Sequence, residues 1–232
     1  SREEKLEELI KELERRLKDV LDRSRELNRE IRKTTEEVIR EVDRLLREIE
    51  KIVRDVRLPR EIVELIDRLI KRLREILKEH KELVDEVIRR NEKSNRELVK
   101  LLEEALREAR REGADEKLIR VAEELLKRIE EIIRRNEEII KDLKRRSKRL
   151  LEEARRVVKD LLRRLEELLR RLDEDTARLV REVAELIEKV VREIVKLIDE
   201  DLKKLERVVR ENARLLREVV ELLLKVVRDV AK

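Results

Sequence analysis

His80 is the only histidine in 232 residues, and its neighbours in type suggest definite chemistry. With Ser147 as nucleophile and Asp201 to orient the ring, it completes the residue set of a hydroxyl-activating triad. With carboxylates it has the makings of a metal ligand. The surroundings oppose both. The chain holds one Gly and no aromatic residue, so no glycine turn or oxyanion hole is evident. Three positions before His80 stands Leu77 rather than the Glu of a carboxylate-bridged dimetal motif, and there is no Cys to share a metal. The expectation is no catalytic residue, no metal ligand, no cofactor and no enzyme.

A second group is uncharged. RRNEKSNREL, residues 89–98, interrupts an apolar helical stripe that reads Leu83, Val84, Val87, Ile88 before it and Leu98, Val99, Leu101, Leu102 after. Asn91, Ser94 and Asn95 take the stripe positions. Ser24, Asn28, Asn136 and Asn212 likewise lie on apolar stripes at about 100° per residue. Amides and hydroxyls in such places do hydrogen-bond chemistry, not bond-making chemistry. A third group, KRRSKR from Lys144 to Arg149, is the one local excess of positive charge. It has the look of a phosphate-binding patch, but Asp142 precedes it and Glu152 and Glu153 follow it. Without aromatic stacking platforms it reads as a solvated helix face, and no nucleic-acid partner is expected.

The elements that must position these residues follow from composition. Charged residues make up 54% and apolar residues 40%, almost all Leu, Ile, Val and Ala, which signals long helices when the apolar positions recur every 3.5 to 3.6 residues. The 65 basic and 60 acidic residues, net +5, are finely interleaved, as in EEKLEELIKELERR. Interleaving gives i,i+4 pairs and a solvated face rather than a basic stripe. No apolar run approaches the roughly 18 residues that span a membrane, and no N-terminal apolar segment suggests secretion. A soluble, cytosolic chain without a membrane partner is expected.

Three places interrupt the helical pattern. Leu58-Pro59 bars the preceding residue from the helix and suits Pro to the first helical position. Gly113 suits a left-handed C′ position, with Asp115 ready to cap the next helix. Leu172-Asp173-Glu174-Asp175 offers two Asp caps. Ser1 with Glu4 forms a capping box, and Arg110, Arg111, Arg170 and Arg171 complement helix C-termini. Four helices result, at about 2–57, 59–112, 115–171 and 174–231, each roughly 55 residues and about 80 Å long. Short connections make neighbours antiparallel. The expected fold is all-α, a single domain over 1–232 forming an antiparallel up-down-up-down four-helix bundle. The first stripe runs Leu6, Ile10, Leu13, Leu17, Val20, Ser24 and onward to Ile49, Ile52 and Val56. Its largely heptad spacing implies a left-handed supercoil.

Folding the chain at those three turns brings the polar stripe residues together. Asn91 comes level with Asn136, Asn136 nearly with Asn212, and Asn212 with Ser24, with Asn28 one turn away. The expected first network is Ser24, Asn28, Asn91, Ser94, Asn95, Asn136 and Asn212. A second level pairs His80 with Ser147, with Thr35 and Asp201 within about a turn. A buried polar group without a partner costs ~1–3 kcal/mol, so such layers penalise a slipped register more than they stabilise the right one.

Taken over all 232 residues, the chain resembles computationally designed (de novo) helical bundles with buried hydrogen-bond networks. The likeness lies in Glu/Lys/Arg surfaces, Leu/Ile/Val cores, minimal loops such as LPREI and EGADEK, and Asn, Ser, Thr and His inserted at core layers. It implies a hyperstable scaffold with no evolved substrate and no required partner. The alternative is a designed interaction module, self-associating or binding a designed protein partner. It would use helix 4, where VVELLLKVV spreads Leu222 and Leu224 to opposite margins of an arc near 200° by the same ~100° spacing.

Overall fold

The computed structural model describes residues 2–112 and 116–231. It is all-α. Helix α1 spans Arg2–Asp55, α2 Arg60–Glu112, α3 Glu116–Leu169 and α4 Glu174–Ala231, with no strand among the described residues. The helices are 54, 53, 54 and 58 residues long. Each boundary lies within two residues of the position read from the turn signals. Ser1, Gly113 and Asp115, which carry the expected capping box and second turn, lie outside the described residues.

The first turn is closed by backbone alone. Leu58 N–H donates to Val56 C=O at 3.0 Å, and the Pro59 carbonyl accepts from Ile62 and Val63 at 3.0 and 3.2 Å. Pro59, expected as the first helical residue, is instead the cap one position ahead of α2, which begins at Arg60. The position suits it, because a cap residue's own N–H takes no part in the helix. At the third turn α3 tightens into three-residue bonds, Arg171 to Leu168 and Leu172 to Leu169. Asp173 then caps α4: its Oδ1 accepts from Thr176 N–H at 3.0 Å and its carbonyl from Ala177 at 2.9 Å. These bonds from Thr176, its side chain first and its backbone next, hold the Asp173 carboxyl below the ordinary aspartate range.

The internal contacts fall into two compact units, and every helix contributes to both. One unit comprises Ser1–Glu30, Glu86–Asp142 and Lys204–Lys232. Its apolar core joins Leu17 of α1, Leu98 and Leu102 of α2, Leu125, Ile129 and Ile132 of α3, and Val220 of α4. Ion pairs on its surface report helix direction. Glu97 meets Arg135 and Arg90 meets Asp142; Arg210 meets Glu137, Arg217 meets Glu130 and Arg228 meets Glu123. One partner's number rises as the other's falls, so α2/α3 and α3/α4 run antiparallel. Arg110 with Glu7 and Asn95 with Ser24 give the same direction for α1/α2.

The other unit comprises Ile31–Asp85 and Leu143–Lys203. Val42, Leu46 and Ile49 from α1, Ile66, Leu73 and Ile76 from α2, Leu150 and Ala154 from α3, and Val183, Ile187 and Ile194 from α4 are buried there. Arg32 with Asp85 and Arg74 with Asp43 fix α1 and α2 as antiparallel. In this stretch Leu46 and Val53 are buried, while the neighbouring Leu45 and the expected Ile52 are only half-buried. A helix of 3.6 residues per turn drifts against a 3.5 repeat, and the drift moves the buried edge by one residue. Full burial of each such side chain contributes ~1.5–3 kcal/mol before chain entropy is subtracted.

Candidate functional site

Ser24, Asn28, Asn91, Asn95, Asn136 and Asn212 are all buried in the first unit, 1–6% exposed, among Leu, Ile and Val. Their helices put them there by spacing alone. Ser24 stands a heptad from Leu17 and from Ile31, both buried, and Asn95 stands three residues from Leu98. The centre of the layer is Ser24 Oγ. It accepts from Asn95 Nδ2 at 3.2 Å and from Asn212 Nδ2 at 2.7 Å, tying α1 to α2 and to α4. Two acceptor sites are all a hydroxyl has, so this oxygen is saturated.

The layer departs from expectation in two respects. Ser94 belongs to it by sequence but is only half-buried. At ~100° per residue it falls on the margin beyond Asn91, on the side away from Asn95. And Asn136, the α3 member, makes no hydrogen bond: both its Oδ1 and Nδ2 are buried without a partner. The same holds for both polar atoms of Asn28, and for Oδ1 of Asn91 and of Asn95.

The second unit holds Thr35, His80, Ser147 and Asp201, each 0–2% exposed. Asp201 Oδ2 accepts from Thr35 Oγ1 at 2.7 Å and lies 2.7 Å from His80 Nε2. A carboxylate oxygen that already accepts a hydroxyl accepts from the ring too, which places a proton on Nε2. His80 is thus joined to α4, not to Ser147. Ser147 Oγ and His80 Nδ1 are both buried without a partner. Ser147 is level with His80 by the neighbouring pairing of Arg72 with Glu153, but level is not contact. A hydroxyl that makes no bond to the imidazole is not activated by it. The three triad residue types share a layer here without the nucleophile–base bond, and nothing in the layer is open to a substrate.

Among the described residues no group of three His, Cys, Asp or Glu side chains is placed to hold a metal ion. No described helix is long and apolar enough to cross a membrane. Within KRRSKR, Lys144, Arg145, Lys148 and Arg149 are exposed, Arg146 is half-buried and Ser147 points into the core, so the run is mostly the outer face of a core helix. On α4, Leu222 is 37% exposed while Leu224 is buried at 8%. The two margins of that arc therefore differ, and Leu224 belongs to the core.

Comparison with known proteins finds no matching family model, no similar curated protein and no similar solved structure.

Proposed function

We propose that this chain is a structural scaffold of the designed type, with no evolved substrate, in which two buried polar layers specify the register of the helices. The observation that carries the reading is Ser24 Oγ, sealed in an apolar core and shared by donors from two other helices. A slip of α1 by one heptad keeps every apolar layer nearly equivalent, because Leu17 or Ile31 simply replaces Ser24. It also strands the amides of Asn95 and Asn212 against hydrocarbon, at ~1–3 kcal/mol each. Asp201 does the same in the second unit, since its partners Thr35 and His80 come from α1 and α2. A uniform Leu/Ile/Val seam has no such discrimination.

The test replaces Ser24, Asn95 and Asn212 together by apolar residues of suitable volume. Helicity should stay, and stability should hold or rise as desolvation is removed. Uniqueness should be lost, as broadened amide spectra or a mixture of oligomers at equal helicity. A variant as well resolved as the parent would overturn the reading.

Exposed Leu222 favours a second reading, an interaction module that buries this face of α4 against another copy or a designed partner. Sedimentation of the unmodified chain tests it. A monomer at high concentration removes it, and a dimer that dissociates on Leu222→Glu supports it.

A further inference from the structure

The amide layer of the first unit holds six buried side-chain atoms without a partner: Nδ2 and Oδ1 of Asn28, the same pair of Asn136, and Oδ1 of Asn91 and Asn95. Native cores satisfy nearly all such groups. Ser24 does not serve them as an acceptor, because its oxygen is filled by Asn95 and Asn212. In this unit hydrogen bonds and ion pairs join α1 to α2, α2 to α3, α3 to α4 and α4 to α1. Asn28 on α1 and Asn136 on α3 therefore stand on diagonally opposed helices.

We infer that this layer is a binding site for ordered water, hydrogen-bonded to the amides of Asn28 and of Asn136. Three features select the ligand. The unpartnered atoms include both donors and acceptors, so the ligand must offer both. All belong to amides, and no charged side chain is buried in this layer, so the ligand is neutral. The available room is small. Asn and Ser are smaller than the Leu and Ile that space the same helices on either side, such as Leu17, Ile31, Leu98 and Ile132, all buried. Water meets all three conditions, and buried waters characteristically make about three hydrogen bonds to groups left unsatisfied by protein. Four of the six atoms are carbonyl oxygens, which need donors. A water supplies two. The layer then becomes a wet joint between apolar layers. The inference stands apart from the register reading: water can occupy the layer whether or not the layer selects the register.

The experiment uses the full chain, labelled with ¹⁵N at asparagine side chains, and reads magnetisation transfer from water. Asn28 and Asn136 amide protons should show water contacts with the sign of a long-lived, bound molecule. Relaxation dispersion of ¹⁷O water should detect the same population and lose amplitude in the variant carrying Asn28→Leu and Asn136→Leu. Direct scalar couplings from these amide protons to Asn91 or Asn95 carbonyls, with no water contact, would overturn the inference, because the amides would then satisfy each other. Equal dispersion amplitude in parent and a folded variant would also overturn it. If the variant does not fold, the labelled parent decides alone. A single set of amide signals reads the register independently, so loss of register and loss of water are separable.

Discussion

Asp201 Oδ2 and His80 Nε2 lie 2.7 Å apart, with both side chains sealed from solvent and 121 positions apart in the chain. Thr35 donates to the same oxygen. One carboxylate atom thus holds three helices together, and the energetics of the second unit's layer turn on what is left when one member is removed.

Removing His80 alone should be costly. His80→Leu leaves a buried carboxylate with Thr35 as its donor, a loss of ~3–5 kcal/mol for a broken buried pair. His80→Leu combined with Asp201→Leu should recover most of that, or exceed the parent by ~1–4 kcal/mol, since no charge is then desolvated. Guanidinium denaturation of the two variants beside the parent checks the sign reversal.

Two hydroxyls in this layer should respond in opposite directions. Thr35→Val keeps the shape but removes a bond to a charged acceptor, worth ~1.5–3 kcal/mol. Ser147 Oγ has no partner and is 0% exposed, so Ser147→Ala removes a desolvated group. Its effect should be neutral to stabilising, by up to ~1–3 kcal/mol. Denaturant midpoints at unchanged slope would establish both.

In the first unit, Ser24→Ala strands two amides at once and should cost at least ~2 kcal/mol. Ser94→Ala, on a half-buried margin, should stay within about 0.5 kcal/mol. Equal effects of the two substitutions would contradict the placement of Ser24 at the centre of the layer.

The cap on α4 makes a pH prediction. Thr176 holds the Asp173 carboxyl below the ordinary aspartate range, so folding favours its ionised form. The contribution is present above the unfolded-state value and is lost as pH falls through the folded one. Asp173→Ala should therefore destabilise the chain at neutral pH, and the gap from the parent should close on acidification. Thermal unfolding of both proteins across an acid series reads it.

Long apolar layers, short turns and few bare helix ends should give high thermal resistance. Helical circular dichroism is expected to persist above about 90 °C. A cooperative melt well below that would show that the polar layers cost more than the apolar ones return.

How much of this was legible in the sequence depends on the range of the interaction. The helices were legible to within two residues, because Pro59 and Asp173 act on their immediate neighbours. Burial of Ser24, Asn91, Asn136, Thr35, His80 and Asp201 was legible as well, because a side chain's face on a helix follows from 100° per residue. The sequence alone did not determine who bonds to whom. Turn positions level residues to within about a helical turn, and a hydrogen bond is set within a few tenths of an ångström. Asn95 rather than Asn91 reaches Ser24, and His80 turns to Asp201 rather than Ser147, on differences finer than that. Leu222 and Leu224 show the same limit at the surface: both are apolar and two residues apart, and only packing against the neighbouring helices leaves one outside and takes the other in.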